Sequence, residues 1–179
     1  MDELRLERAR IELVRGDITL QEVDAIVNAA NRRLAGGGGV DGAIHRAAGP
    51  ELAEACRELG GCPPGDAKAT PGFRLKAKWV IHAVGPIYRG GSWGEAKILA
   101  SAYRRSLDVA AELGARSVAF PAISTGAYGY PVKEAARIAL ETVSAWLEDH
   151  EGPVELVRFV LFDGKTHKAF REALDSLRR

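Results

Sequence analysis

Asn28 and Asn31 are the only asparagines among 179 residues, and both lie in Val27-Asn28-Ala29-Ala30-Asn31, just before Gly36-Gly37-Gly38-Gly39-Val40-Asp41. A carboxamide offers donors and an acceptor in one plane, and bare glycine backbone lets a ligand come close. Four glycines ahead of a helix leave N–H groups open at its N-terminus, where phosphate binds well. Gly38, Gly39 and Val40 would supply such amides, and Asp41 would place a carboxylate beside whatever they hold. The pattern points to a site for a phosphate-bearing ligand with chemistry next to it. Against that stand two plainer accounts: a glycine run is often a flexible loop, and an Asp in a first helical turn stabilises it by roughly 0.3–1 kcal/mol with no catalysis.

A second set of amides is available in Phe120-Pro121-Ala122-Ile123-Ser124-Thr125-Gly126-Ala127-Tyr128. Ser124, Thr125, Gly126, Ala127 and Tyr128 would face the glycine loop, so that two loops clasp one diphosphate. His45 and His82 stand in apolar contexts that suit structural histidines, and the four histidines show no metal-ligand spacing, so no metal and no cofactor are expected. Cys56 and Cys62 are too few to staple the chain and read as reduced thiols.

The elements needed to position these groups follow a βαβ rhythm without internal repeats. Strands are expected over residues 11–15, 24–28, 67–70, 79–84, 117–121 and 156–161. Helical spacing covers 40–48 and 51–59, split at Gly49-Pro50, then 95–113, 131–148 and 166–177. The fold class that follows is α/β: one domain over residues 1–179, a three-layer α/β/α sandwich around a mixed, mostly parallel sheet. In such sheets ligands bind beyond the carboxyl ends of strands, so the segments after Asn28, Pro121 and Leu161 should converge on one cleft.

Composition sets the outer limits. With 46% hydrophobic and 27% charged residues the chain can bury a real core. No apolar run is long enough for a membrane span, and the charged start Met1-Asp2-Glu3-Leu4-Arg5 lacks the apolar stretch of a secretory signal. A cytoplasmic protein is the expectation. The formal net charge of +1 provides no basic patch that would by itself indicate nucleic acid.

Several motifs in register carry a resemblance. Gly16-Asp17-Ile18-Thr19, Ile26-Val27-Asn28-Ala29-Ala30-Asn31, the segment from Gly36 to Gly49, Gly65-Asp66-Ala67-Lys68-Ala69-Thr70-Pro71-Gly72, Val80-Ile81-His82-Ala83-Val84-Gly85-Pro86, and the segment from Phe120 to Pro131 resemble a macrodomain of the MacroD type over nearly the whole chain. The resemblance implies binding of ADP-ribose. For this subtype it also implies removal of ADP-ribose from acidic side chains of mono-ADP-ribosylated proteins, or of the acyl group from O-acetyl-ADP-ribose. It places adenine against Asp17 and Ile18, with Phe162 beside the ring, and sets Tyr128 on the distal ribose. Asn31 would orient the hydroxyls of that ribose. Asp41, where pure binders can carry a small apolar residue, would help to activate water together with a ligand phosphate oxygen.

The partners implied are ADP-ribose and either ADP-ribosylated proteins or O-acetyl-ADP-ribose, on a monomer; membrane and modified nucleic acid are not indicated. A non-catalytic ADP-ribose reader using the same cleft stays open as the alternative. Two other classes fit poorly. Gly37-Gly38-Gly39-Val40-Asp41-Gly42 satisfies GxGxxG, but residues 28–36 separate it from its strand. Ser124, Asp163 and His167 follow the chain order of an α/β-hydrolase triad, but the first glycine of the nucleophile elbow is missing.

Overall fold

The computed structural model describes residues 2–178. In chain order it comprises β1 (Glu3–Arg5), β2 (Arg10–Arg15), a 3-10 turn (Ile18–Leu20), β3 (Ala25–Ala29), α1 (Gly39–Ala48), α2 (Glu51–Leu59), β4 (Ala67–Pro71), β5 (Trp79–Ala83), α3 (Glu95–Glu112), β6 (Ser117–Phe120), α4 (Val132–Asp149), β7 (Leu156–Leu161) and α5 (Gly164–Leu177). The strands form a seven-stranded sheet in the order β1-β2-β7-β6-β3-β5-β4. Neighbours from β2 to β5 are parallel, and only the edges, β1 on β2 and β4 on β5, are antiparallel. The carboxyl ends of β2, β7, β6, β3 and β5 therefore share one side of the molecule, as expected.

Period-two alternation divides the sheet's side chains between two cores. Val27, Ile81, Phe120, Phe159 and Leu161 point into the larger core with α3, α4 and α5, whereas Ile26, Val80, Ala119 and Val160 point into the smaller one with α1 and α2. Asn28 and His82 alternate onto the same face as Ile26 and Val80, and they are register partners on β3 and β5. That places two polar side chains under α1 and α2, where each must find a partner or cost stability.

The larger core is built around stacked aromatics, with Phe120 and Phe159 centred 5.7 Å apart and Tyr103 5.1 Å from Phe120. Truncating a buried ring of this kind to Ala costs about 3–5 kcal/mol. Its Tyr103 also reaches past the apolar layer: the hydroxyl accepts from Ile123 N at 3.1 Å and donates to Pro121 O at 3.4 Å. The loop after β6 is thereby tied to the core.

One element was not foreseen. β1 has a single apolar residue, Leu4, and exists through its pairing with β2 rather than through local pattern. Elsewhere the bounds move by one or two residues, most at α5, which starts at Gly164 because Asp163 Oδ1 caps it through Thr166 N at 2.8 Å. No helix among the described residues is long and apolar enough to cross a membrane.

Candidate active site

Asp41 sits in the first turn of α1 and is 6% exposed. Its Oδ1 accepts from Asn28 Nδ2 at 2.8 Å and lies 3.3 Å from His45 Nε2, one helical turn on. The second amide hydrogen of Asn28 is directed at His82 Nδ1, 3.2 Å away. The reverse orientation of the amide would set its oxygen against the carboxylate of Asp41, so the donor side must face Asp41. His82 Nδ1 then accepts, and the proton on Nε2 is donated to Thr70 Oγ1 at 3.0 Å. Burial, aided by the charge of His45, pulls the pKa of His82 down to about 4, in keeping with this neutral form. A chain of fixed hydrogen bonds, Thr70–His82–Asn28–Asp41, thus runs from the sheet to the mouth of the cleft.

Asn31 lies past the end of β3 and uses its carboxamide locally. Nδ2 donates to Gly36 O at 2.9 Å, while Oδ1 accepts from Arg33 N at 3.1 Å and Ala35 N at 3.2 Å. This side chain braces the turn that opens the glycine loop and still leaves one Nδ2 hydrogen to face a ligand. Asn31 Nδ2 and Asp41 Oδ2 flank Gly37 together: a Cβ there would stand 4.0 Å from the first and 3.6 Å from the second. A Cβ on Gly42 would come within 2.5 Å of Gly37 O, so α1 can pack against the loop only with glycine at that position. The first intrahelical bond is Gly42 N to Gly38 O, at 3.1 Å. The amides of Gly39, Val40 and Asp41 precede it and have no acceptor within the helix, and Cβ positions on Gly38 and Gly39 meet open space.

The second loop approaches from β6, the strand next to β3. Ser124 takes a left-handed φ of 68° and donates from Oγ to Pro86 O at 2.8 Å, while its carbonyl accepts from Tyr130 N at 2.9 Å, so both groups secure the loop and its backbone N–H is what it can offer a ligand. Thr125 Oγ1 likewise turns back to Ala122 O, at 2.9 Å. Gly126 and Ala127 form the exposed crest, and the half-buried Tyr128 accepts through its carbonyl from Tyr88 N at 2.8 Å. Tyr128 and Asn31 share the wall of a cavity of about 620 Å³.

Asp17 follows β2, on the same side of the sheet as the loops after β3 and β6. Its Oδ1 caps the 3-10 turn through Thr19 N at 2.9 Å and Thr19 Oγ1 at 2.7 Å, and the exposed carboxylate keeps its other oxygen open. Capping the turn therefore does not use up the carboxylate. Ile18 is buried in the smaller core, so its backbone alone could touch a ligand. Phe162, just past β7, is 87% exposed, an unusual setting for a large ring and one that leaves its face open for stacking.

His45, expected as a structural histidine, has Asp41 as its partner, at the i, i+4 spacing that puts both on one helix face. His82 is the buried, satisfied histidine anticipated. Burial, with the charge of Asp41, pushes the Cys56 thiol up to about 11; burial, with the charge of Asp66, does the same to Cys62. Neither is a nucleophile at neutral pH. The residues of the discounted triad are dispersed, since His167 Nε2 bonds Asp2 Oδ2 at 3.0 Å, Asp163 caps α5 and Ser124 binds Pro86 O. Among the described residues no group of three or more His, Cys, Asp or Glu could hold a metal ion.

Two amide-rich loops on adjacent parallel strands and an acid at a helix N-terminus lie beyond the carboxyl ends of the central strands, an arrangement suited to a phosphorylated ligand. The chain belongs to the macro domain family, whose model matches residues 27–139. It is 55% identical over 170 residues to the O-acetyl-ADP-ribose deacetylase of Citrobacter rodentium, covering 93% of this chain and 96% of that protein. Among solved structures it is similar to the Oceanobacillus iheyensis macrodomain with ADP, with a TM-score of 0.94 and 42% identity over 98% of this chain and 95% of the other. It is similar also to the Trypanosoma brucei macrodomain in complex with ADP-ribose, with a TM-score of 0.86 and 43% identity over 92% of this chain and 68% of the other.

Proposed function

We propose that this macrodomain binds ADP-ribose and hydrolyses acyl esters of its distal ribose, releasing ADP-ribose from modified acidic side chains and deacetylating O-acetyl-ADP-ribose. The observation that carries this reading is the placement of Asp41: its carboxylate is anchored by Asn28, touched by His45 and stands beside Gly37 and Asn31 in the glycine loop. The similarity to a relative named O-acetyl-ADP-ribose deacetylase supports the reaction, and the ADP-ribose complex of the T. brucei macrodomain supports the ligand.

In this reading the adenine lies by Asp17 and Phe162, the diphosphate between the amides of residues 38–40 and 124–128, and the distal ribose between Asn31 and Tyr128. A water held between Asp41 and a phosphate oxygen attacks the ester carbonyl carbon or the anomeric carbon. In the first case the acyl C–O bond breaks, water's proton passes to one of the two oxygens that held it, and the departing ribose oxygen takes up a proton. Positioned base help of about 10²–10⁴-fold suits a reactive ester better than an amide. The reader alternative makes the same contacts without turnover. Incubation with a protein auto-ADP-ribosylated on glutamate separates the two: the hydrolase releases free ADP-ribose and Asn31→Ala slows that release, whereas absence of release by the wild type assigns the reader.

A further inference from the structure

The cavity of about 620 Å³ that Asn31 and Tyr128 share is also lined by Arg32, Arg33, Arg89 and Trp93. No part of the ADP-ribose reading uses these four residues. All three arginines are exposed, and among the described residues none pairs with a carboxylate. The acid in the cavity wall, Glu95, is occupied, since its Oε2 accepts from Arg89 N at 2.8 Å and Gly91 N at 2.9 Å and its Oε1 from Trp93 N at 2.6 Å. Both halves of the rim are held in place by these contacts. Glu95 orders the segment bearing Arg89 and Trp93; Asn31 orders the turn bearing Arg32 and Arg33, whose backbone is further fixed by Cys62 N donating to Arg32 O at 2.8 Å. Trp93 is 73% exposed, presenting an indole face beside the guanidiniums.

We propose that this cavity is a subsite for the acidic polypeptide segment that flanks the ADP-ribosylated glutamate or aspartate, so that the preferred substrate is a modified acidic stretch of protein rather than a small O-acyl ester. The inference rests on the ADP-ribose reading, which puts the ester bond between Asn31 and Tyr128, at the entrance of the cavity. Guanidiniums form forked pairs with carboxylates, and an exposed indole accepts the aliphatic stem of a glutamate or the edge of a peptide bond. A nucleic-acid strand fits less well, because it is followed along a basic groove with successive stacking rings, and here one indole stands over a short cavity in a chain of net charge +1.

The test uses two synthetic peptides carrying one ADP-ribosyl group through a non-hydrolysable amide linkage, one flanked by glutamates and the other by glutamines, with free ADP-ribose as a third titrant. Calorimetry on the wild type should find the glutamate peptide bound about tenfold more tightly than the glutamine peptide, a difference that fades at high salt. Replacing the three guanidiniums together (Arg32→Gln, Arg33→Gln, Arg89→Gln) should erase the difference and leave the Kd of free ADP-ribose unchanged. Equal affinities for the two peptides in the wild type, or a preference that survives in the triple variant, would overturn the proposal. Absence of heat with free ADP-ribose would instead bring down the underlying ligand reading, and this subsite with it.

Discussion

Asn28 Nδ2 meets Asp41 Oδ1 at 2.8 Å, joining the penultimate residue of β3 to the first turn of α1 with both side chains buried. The bond sets the direction of the carboxylate from the rigid sheet rather than from the glycine loop. Asn28→Ala leaves Asp41 and His82 short of a donor, which costs about 1–3 kcal/mol of stability. It should also lower kcat for O-acetyl-ADP-ribose on the order of 10–100-fold by letting the carboxylate swing, while the Kd of ADP-ribose moves little. Equal losses in kcat and affinity would assign Asn28 to binding instead.

His82 makes stability depend on pH. Its pKa lies at about 4 in the folded protein against an ordinary 6.5. Below 6.5 the unfolded chain takes up a proton that the folded chain refuses, so this contribution is intact above pH 6.5, declines as the pH falls toward 4 and is flat below that. The full difference is about 3 kcal/mol. Chemical denaturation of wild type and His82→Gln at a series of pH values should find the gap between them narrowing through that window on acidification. A constant gap would refute the buried neutral imidazole.

Tyr103 offers a test of the second loop. Tyr103→Phe preserves the ring packing but removes the acceptor for Ile123 N and the donor to Pro121 O. Leaving the buried N–H of Ile123 without a partner should cost about 1–3 kcal/mol, seen as a lower Tm. ADP-ribose should bind more weakly in the same variant, because the amides of residues 124–128 hang from that anchor. Loss of Tm with unchanged affinity would detach this loop from the diphosphate.

Glu95 gives a prediction about local order. Burial works to raise its carboxyl, but backbone N–H donors from Arg89, Gly91, Trp93 and Glu95 itself outweigh that and hold it at about 2. Glu95→Ala should speed hydrogen exchange at the amides of Arg89, Gly91 and Trp93 without affecting β5 or the body of α3. Unaltered exchange at those amides would show that the segment is ordered by other means.

Much of this architecture could be read from the chain because the central strands are short apolar runs and the helices keep a clear apolar stripe, as over 95–112. The candidate cleft was suggested by four consecutive glycines, the only two asparagines and an acid at a helix start, and the structure brings Asn31, Gly37 and Asp41 together. Less could be read where long-range pairing decides the outcome. β1 becomes a strand only because β2 lies beside it, and its one apolar residue gives no period. His45 was expected as a structural histidine, but its partner Asp41 was not named, although the i, i+4 spacing was available. Asn28 could have been assigned beneath α1 by counting alternate residues from Ile26. The arginine-lined cavity left no local trace at all, since Arg32-Arg33 and Arg89 come from loops after different strands and meet only in the folded chain.

In the proposed reaction Asp41 acts in chemistry and not in capture. The most direct test pairs two readings on Asp41→Ala: the Kd of ADP-ribose by calorimetry and the single-turnover rate on O-acetyl-ADP-ribose. Affinity within a few-fold of wild type, with a rate reduced by about 10²-fold or more, is the result expected of a positioned base. Turnover at the wild-type rate in a variant that still binds would contradict it.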